Sequence, residues 1–495
     1  MNKTKISLIS LILMIFTTIY GFGNTTVAFD QMGYASIPWY IFAAIIFFLP
    51  SGLMFAEYGA SLKDSHGGIY SWLSNSIGEK YAFVGTFIWL SSWIIWMVST
   101  SSKVWIPLST MIFGHDTTQS WNFMGFNSMQ VVGILAFLWI IVITYFSSKG
   151  VKSITKISSI GGTFVMILTG IFLSASIIIL IANHGELQQP VNGLQSFTQS
   201  PNPLFSSPIA IMSFVVYAIF AYAGMESMGG IVDSLDKPEK TFPRGIITAT
   251  LTITIFYSLC IFLWGISTNW TNILGKNNVN LGNITYVLMD NLGLVFGKSL
   301  GLSHATSALI GTSLARFTGL SMFLGYLGSF FILTYSPLKS FIIGTPKEFW
   351  PKKMTKLNEA GMPAYAMWIQ AAIVGIIVLL ISFGGSGANQ FYLILTDMGN
   401  ISTTVPYIFL IGAFPFFKAR KDLDRPFVAF KNKTVTNVIV TIMMIIICLG
   451  ILFTAIQPIL DHDYVTAFWT IIGPIFFGGI GLAFYKFSKK RLTSK

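Results

Sequence analysis

Two apolar segments of the chain are interrupted by glycines and small residues, and these interruptions are its best candidates for chemistry. One reads Tyr20-Gly21-Phe22-Gly23-Asn24, and the other reads Phe220-Ala221-Tyr222-Ala223-Gly224-Met225-Glu226-Ser227. A broken helix leaves free N–H groups at one new end, which favour an anion, and free C=O groups at the other, which favour a cation. Two such breaks that face each other suit a zwitterion. Glycines that merely permit close helix packing are the alternative for either break alone.

Glu226 lies inside an apolar segment, two residues after Gly224. A charge within a membrane span is costly and usually functional. The carboxyl is therefore a candidate for gating or proton coupling, which is the role we expect. The alternative is a structural acceptor for the backbone N–H groups that the break leaves free.

Arg316 and Asp397 are the other ionisable residues that we assign to coupling or gating within spans. Arg316 pairs with an acid or lines the substrate route, or it snorkels to the interface. Asp397 shares a helical face with polar neighbours at three- and four-residue spacing: Thr396, Asn400, Thr403 and Thr404. An aromatic stripe on another span is interpreted as packing, with a cavity wall as the alternative: Trp89, Trp93 and Trp96.

The elements that must hold these residues are membrane-spanning helices. Only 10% of the 495 residues are charged, against about 25% in an ordinary soluble domain, and the mean hydropathy is +0.70. A span needs about 20 mostly apolar residues. The sequence predicts an all-α polytopic membrane protein with 12 transmembrane helices, at residues 6–32, 36–59, 81–108, 128–147, 151–183, 207–233, 242–267, 304–337, 362–384, 389–416, 435–457 and 464–486.

The basic residues predict how these spans are oriented. With an even number of spans and the N-terminus inside, 26 of the 30 Lys and Arg fall on the cytoplasmic side, as the positive-inside rule requires. Both termini are then cytoplasmic, in a bacterial inner (cell) membrane, and the first apolar run is an uncleaved span rather than a signal peptide. The net charge of +12 is accordingly a topology signal, and we expect no nucleic-acid partner.

Several chemistries have no sequence support. There is no GxxxxGK[ST], HExxH, CxxC or GxSxG motif, so we expect no ATP-driven step, no metal or other cofactor and no enzyme activity. The two cysteines, Cys260 and Cys448, fall within predicted spans and are interpreted as packing residues.

Four segments together resemble the amino acid–polyamine–organocation (APC) superfamily of permeases, in its glutamate/GABA antiporter-like branch. The resemblance covers essentially the whole chain and is strong because the segments occur in this order and at these spacings. They are residues 67–70 (GGIY), 223–227 (AGMES), 236–245 (DKPEKTFPRG) and 351–363, which ends in NEAGMP.

The resemblance implies a LeuT-type fold with two inverted five-span repeats and two extra helices. The first repeat occupies 1–183, an extracellular loop 184–206, the inverted repeat 207–416, and spans 11 and 12 with a short cytoplasmic tail 417–495. It also implies a substrate between the breaks. The carboxylate would meet the backbone of Gly21, Phe22, Gly23 and Asn24, and the ammonium would meet carbonyls near Ile19, Phe220 and Ala223. Phe220 matches an aromatic that covers substrate, and Tyr222 and Gly224 belong to the same segment.

The chain departs from the family pattern in two places. Some relatives use a lysine within span 5. In this chain the last lysine of span 5 is Lys156, near the predicted cytoplasmic end of that span. The long cytoplasmic tail of the glutamate/GABA antiporter has no counterpart, because the chain ends about nine residues after span 12. Lysine-based proton symport and a plugging tail are therefore not expected, and protons stay an open coupling ion.

We expect a secondary active amino acid transporter, a permease or antiporter that works by alternating access. Its partners are then the lipid bilayer and an amino acid or related amine. A polyamine or organic-cation carrier of the same fold, or a non-transporting membrane receptor or channel, are the alternatives.

Overall fold

Every regular element of the part of the chain that the structure describes is helical. The structure is a computed structural model, and it describes residues 5–65, 68–274, 279, 281–385, 398, 401–460 and 462–493. The α-helices, numbered in chain order, are α1 (Leu8–Ile19), α2 (Phe22–Met32), α3 (Ser36–Ala43), α4 (Leu49–Ser61), α5 (Ile69–Ile77), α6 (Glu79–Lys103), α7 (Trp105–Phe113), α8 (Ser128–Ser147), α9 (Val151–Ala182), α10 (Gln195–Thr198), α11 (Pro208–Phe220), α12 (Pro238–Ser267), α13 (Trp270–Ile273), α14 (Ile284–Ser299), α15 (His304–Ile342), α16 (Lys352–Thr355), α17 (Ala364–Phe383), α18 (Val405–Gly412), α19 (Phe414–Ala419), α20 (Lys433–Leu460) and α21 (Tyr464–Thr493).

Shorter helical turns join several of these helices. A π-helical turn at Ala44–Phe48 connects α3 to α4, so that Ser36–Ser61 is one continuous helical segment. The longest 3₁₀ helix is Met225–Ser234, between α11 and α12. Others are Gly33–Ala35, Thr118–Ser120, Pro203–Phe205 and Lys347–Phe349.

Ten helical segments in the described part are long and apolar enough to cross a membrane. The first, Leu8–Ser61, covers the predicted spans 6–32 and 36–59 from residue 8 onward, and each of the other nine overlaps one predicted span. The remaining predicted span, 389–416, lies partly outside the described residues, and its described part includes the short apolar helix Val405–Ala419. The all-helical, multi-pass class is confirmed, and the count of twelve stays a prediction.

The first helix is interrupted at Tyr20 and Gly21, where the backbone is extended rather than helical. The Asn24 side chain folds back over Gly21. A Cβ at that glycine would lie 2.7 Å from the Asn24 Nδ2 atom. α2 then begins at Phe22.

The second interruption follows Phe220, the last residue of α11. Gly224 adopts φ +116° and ends the turn that precedes the 3₁₀ helix. That backbone conformation is open to glycine and strained for other residues. The two interruptions therefore fall where the glycine-rich segments lie in the sequence.

α1 approaches its neighbours closely because they present small residues to it. A Cβ on Gly162 of α9 would lie only 2.2 Å from the Leu13 carbonyl oxygen of α1. The Thr17 hydroxyl donates to the Ser158 carbonyl at 2.6 Å, and the Ser329 hydroxyl of α15 donates to the Thr17 carbonyl at 2.5 Å. These contacts fix α1 between α9 and α15 in the way that small residues join membrane helices.

The Met225–Ser234 3₁₀ helix is hydrogen-bonded to α15 at the end of the 3₁₀ helix that lies away from the first interruption. Lys339 donates to the Gly230 carbonyl at 2.9 Å and contacts the Asp233 carboxylate at 2.6 Å. The Ser336 hydroxyl also donates to the Ser227 carbonyl. Ile6, before α1, exchanges backbone hydrogen bonds with residues 234 and 236, so the chain's start closes against the same end.

Glu57 of α4 anchors the loop that follows α19. Its carboxylate is fully buried and lies 2.9 Å from the Lys418 Nζ atom and 3.5 Å from the Arg425 Nε atom. The Ala429 N–H donates to it at 2.8 Å. A buried carboxylate needs such partners, and removing one leaves an uncompensated charge.

Candidate functional site

The two interruptions line one cavity of about 470 Å³. Its volume falls in the range that small-molecule sites occupy. Further lining residues come from α6, α9, α14, α15 and α18. Eight of the residues assigned from sequence line this cavity, namely Ile19, Gly21, Phe22, Gly23, Asn24, Phe220, Ala223 and Glu226.

Two other assigned residues of the second interruption lie beside the cavity. The Tyr222 ring stacks on Phe48 at 4.5 Å, and its hydroxyl donates to the Tyr40 carbonyl. Because the residues on either side of Tyr222 line the cavity, its own side chain points the opposite way. Gly224 contributes its backbone, whose N–H contacts the Glu226 carboxylate and the Tyr407 hydroxyl, each at 3.0 Å.

Arg316 and Asp397 are not brought to the cavity by the described structure. Arg316 is exposed on α15, close to Gly114 at the end of α7. Asp397 lies outside the described residues. Their coupling or gating roles stay predictions.

The Tyr257 hydroxyl of α12 bridges both interruptions. At the first, it accepts from the Gly21 N–H at 3.0 Å and lies 3.1 Å from both the Asn24 Nδ2 atom and the Ile19 carbonyl oxygen. At the second, it lies 3.0 Å from the Ala221 carbonyl oxygen. A phenol has one proton to donate, so it serves one of these two carbonyls at a time.

Some of the backbone groups that we expect to bind the substrate are thus already hydrogen-bonded to other groups of the protein. The Gly21 N–H is bonded to Tyr257, and the Asn24 N–H donates to the Gly21 carbonyl at 2.8 Å. The Phe220 carbonyl accepts from the Ala223 N–H at 2.9 Å. Carbonyl oxygens have two lone pairs, so this one can accept a second donor.

Glu226 is 2% exposed and accepts hydrogen bonds from three groups. The Trp89 Nε1–H donates to one carboxyl oxygen at 3.0 Å. The Tyr407 hydroxyl, at 2.5 Å, and the Gly224 N–H donate to the other. The carboxyl therefore satisfies a backbone N–H group of the second interruption and joins α6 to α18.

The aromatic stripe of α6 forms one wall of the cavity. The Trp93 and Trp96 rings meet edge to face with centroids 5.7 Å apart, and both residues line the cavity together with Trp89. Packing was the favoured interpretation from sequence, and the structure places the stripe at the alternative position, a cavity wall. The ring of Trp96 also packs on Phe330 of α15 at 5.2 Å.

The sequence pointed to neither Tyr257 nor Tyr407. A buried tyrosine hydroxyl in an apolar span needs a hydrogen-bond partner, which is the signal that both residues carried. One sequence does not reveal which span packs on a break, so the partners stayed hidden. Thr285 of α14 is a similar case, since its hydroxyl lies 2.9 Å from the Thr26 hydroxyl of α2.

Within the described ranges, no group of three or more His, Cys, Asp or Glu side chains could hold a metal ion. The buried Cys260 lies 3.5 Å from the Tyr20 hydroxyl oxygen. Its neighbourhood is that of a packing residue.

Comparison with known proteins matches residues 6–480 to the family described as amino acid permease. The inner membrane transporter YjeM of Salmonella typhimurium LT2 is 52% identical over 491 residues, 99% of this chain and 97% of the relative. YjeM of Escherichia coli K12 is 51% identical over 483 residues, 97% and 96% of the two chains. The glutamate/gamma-aminobutyrate antiporter of Lactococcus lactis subsp. lactis is 22% identical over 391 residues, 78% and 71% of the two chains.

Proposed function

The chain belongs to the amino acid permease family, and we propose that it is a secondary active amino acid transporter that works by alternating access. The observation that carries the proposal is the meeting of the two interruptions. Both line one cavity, and one hydroxyl, that of Tyr257, reaches the backbone of each. Irregular backbone at membrane depth is tolerated where it lines a cavity, and paired interruptions are typical of transporter sites.

The substrate's charged groups bind at the interruptions in this proposal. The carboxylate lies at the start of α2, near the N–H groups of Phe22 and Gly23, because the helix dipole favours an anion there. The ammonium lies against the Ile19 and Phe220 carbonyls. Tyr257 exchanges its hydrogen bonds with the substrate as the site fills.

Alternating access requires that the cavity open to each side in turn. Residues 1–183 and 207–416 form the two inverted repeats, 184–206 connects them outside, and 417–495 holds the last two helices. The contacts of Lys339 with Gly230 and Asp233 then close the cytoplasmic side. Opening that side requires the 3₁₀ helix and α15 to separate there.

Glu226 is proposed to couple the site to gating. Its carboxyl joins the second interruption to α6 and α18, so a change in its protonation or bonding alters both neighbours. The relatives named inner membrane transporters support a place in the bacterial inner membrane, and the positions of the basic residues support two cytoplasmic termini.

Uptake by purified protein in proteoliposomes tests the proposal. We expect saturable uptake of at least one member of an amino acid panel, and counterflow when the same amino acid is loaded inside. Folded protein that moves no member would count heavily against transport. Flux that does not saturate and shows no counterflow indicates a channel, and uptake restricted to polyamines indicates the organic-cation carrier.

A further inference from the structure

We infer that the cavity selects neutral amino acids with bulky apolar or aromatic side chains and rejects acidic ones. The inference rests on the proposed function, because it concerns the side chain of the substrate held in the same cavity. Two features carry it, the balance of charge around the cavity and the composition of the wall next to the interruptions.

Among the described residues that line the cavity, Glu226 is the one acid, and none is Lys or Arg. The described lining therefore supplies no cation for a second carboxylate on the substrate. A substrate carboxylate that leaves water without gaining a counter-ion binds unfavourably, which is one way to reject an acidic ligand.

The carboxyl of Glu226 is also poorly placed to receive a cationic side chain. Three donors, from Trp89, Tyr407 and Gly224, already occupy it, and only 2% of the residue is exposed. A substrate ammonium or guanidinium beyond the α-amino group would lose water without a free counter-ion, which is unfavourable.

The wall next to the interruptions is aromatic. Trp89, Trp93 and Trp96 line it from α6, Phe220 borders it from α11, and Tyr286 and Tyr326 complete it from α14 and α15. Flat apolar surfaces favour offset or edge-to-face contact with another apolar side chain. A bulky neutral side chain can therefore gain contact area here without leaving a charge unpaired.

The inference separates this chain from two of its distant relatives by the names they carry. One is named an aspartate/glutamate permease, at 22% identity over 418 residues, and another is the glutamate/gamma-aminobutyrate antiporter. Membership of the family therefore leaves the side-chain preference open, and the cavity wall decides it.

Competition in proteoliposomes tests the inference. Once one transported amino acid is found, it is labelled, and unlabelled competitors are compared at equal concentration. We expect phenylalanine, tryptophan or leucine to compete at least about tenfold better than glutamate, aspartate, lysine or putrescine, a factor that corresponds to about 1.4 kcal/mol. Glutamate or a cation as the strongest competitor would overturn the inference while leaving transport intact. Absence of any uptake would instead defeat the proposed function.

A charge placed in the wall gives a second test. Trp96→Arg adds the cation that the wall lacks, and Trp96→Gln removes the same ring without adding charge. Relative to Trp96→Gln, we expect Trp96→Arg to raise the ratio of glutamate to phenylalanine competition at least about tenfold. An equal ratio in two folded variants would show that wall charge does not select the side chain. If either variant fails to fold, the competition order of the unaltered protein still decides.

Discussion

The Tyr257 hydroxyl contacts backbone atoms of both interruptions. Tyr257→Phe removes these contacts and leaves the partly buried Gly21 N–H without this acceptor. An unsatisfied buried polar group costs about 1–3 kcal/mol, so we expect a lower midpoint of thermal unfolding in detergent and slower uptake. Tyr81→Phe, at a residue that is 54% exposed, is the control. Equal unfolding midpoints for the two variants would contradict the bridging role.

Glu226 accepts from three donors, and an amide cannot replace a carboxylate there without turning its NH₂ group toward one of them. We expect Glu226→Gln to slow uptake at least about tenfold, a loss of about 1.4 kcal/mol, and to change its dependence on pH. The measurement is initial uptake rate across a pH series. Glu239→Gln, at the start of α12 with a side chain that is 25% exposed, is the control for loss of a carboxylate. Unchanged kinetics at every pH would leave Glu226 without a coupling role.

How far a residue's surroundings followed from sequence depended on whether they were local. Gly21 and Gly224 lie where the helices are interrupted, since chain flexibility is a property of the segment itself. The partners of Glu226 were hidden because Trp89 and Tyr407 come from 137 and 181 residues away. The direction of the Tyr222 side chain, away from the cavity, was not predictable either, because no periodic pattern applies inside a broken helix.

At the scale of elements, apolar length predicted the spans well, since a buried or lipid-facing helix needs little beyond apolar residues. Eleven of the twelve predicted spans correspond to the ten membrane-length helical segments of the described residues, because the first two merge into Leu8–Ser61. The face that each helix presents was less predictable. The α6 stripe reads as packing from sequence, because an aromatic face looks the same whether it meets another helix or a cavity.

The close contact between α9 and α1 can be tested by substituting a glycine of α9. At Gly162, an added methyl group would meet the Leu13 carbonyl at 2.2 Å, whereas at Gly170 of the same helix it would meet nothing within 4 Å. We expect Gly162→Ala to destabilise the protein by about 1–3 kcal/mol through overpacking, and to slow uptake by displacing α1. Gly170→Ala should be neutral or stabilising by up to about 1 kcal/mol. Thermal unfolding of the pair decides, and equal midpoints would refute the close contact.

At the scale of the whole molecule, the charges predict how the chain sits in its membrane. Since 26 of 30 basic residues fall on one predicted side, both termini should be cytoplasmic. A green fluorescent protein fused after Lys495 should fluoresce, and alkaline phosphatase at the same position should be inactive in a bacterial host. Fusions after residue 190, in the predicted outer loop, should give the reverse result. An active phosphatase at the C-terminus would contradict a cytoplasmic C-terminus.

The anchor at Glu57 has a consequence for how the protein is cut by proteases. Several trypsin sites lie at the end of α19 and in the loop after it, but Lys418 is held by the buried Glu57 carboxylate, whereas Lys421 and Lys431 are exposed. Nicking concentrates at exposed, unanchored backbone. The first tryptic cuts in this loop should therefore follow Lys421 or Lys431, and with Glu57→Gln the site at Lys418 should open as well. The fragment pattern would then report whether Glu57 of α4 still holds the loop in place.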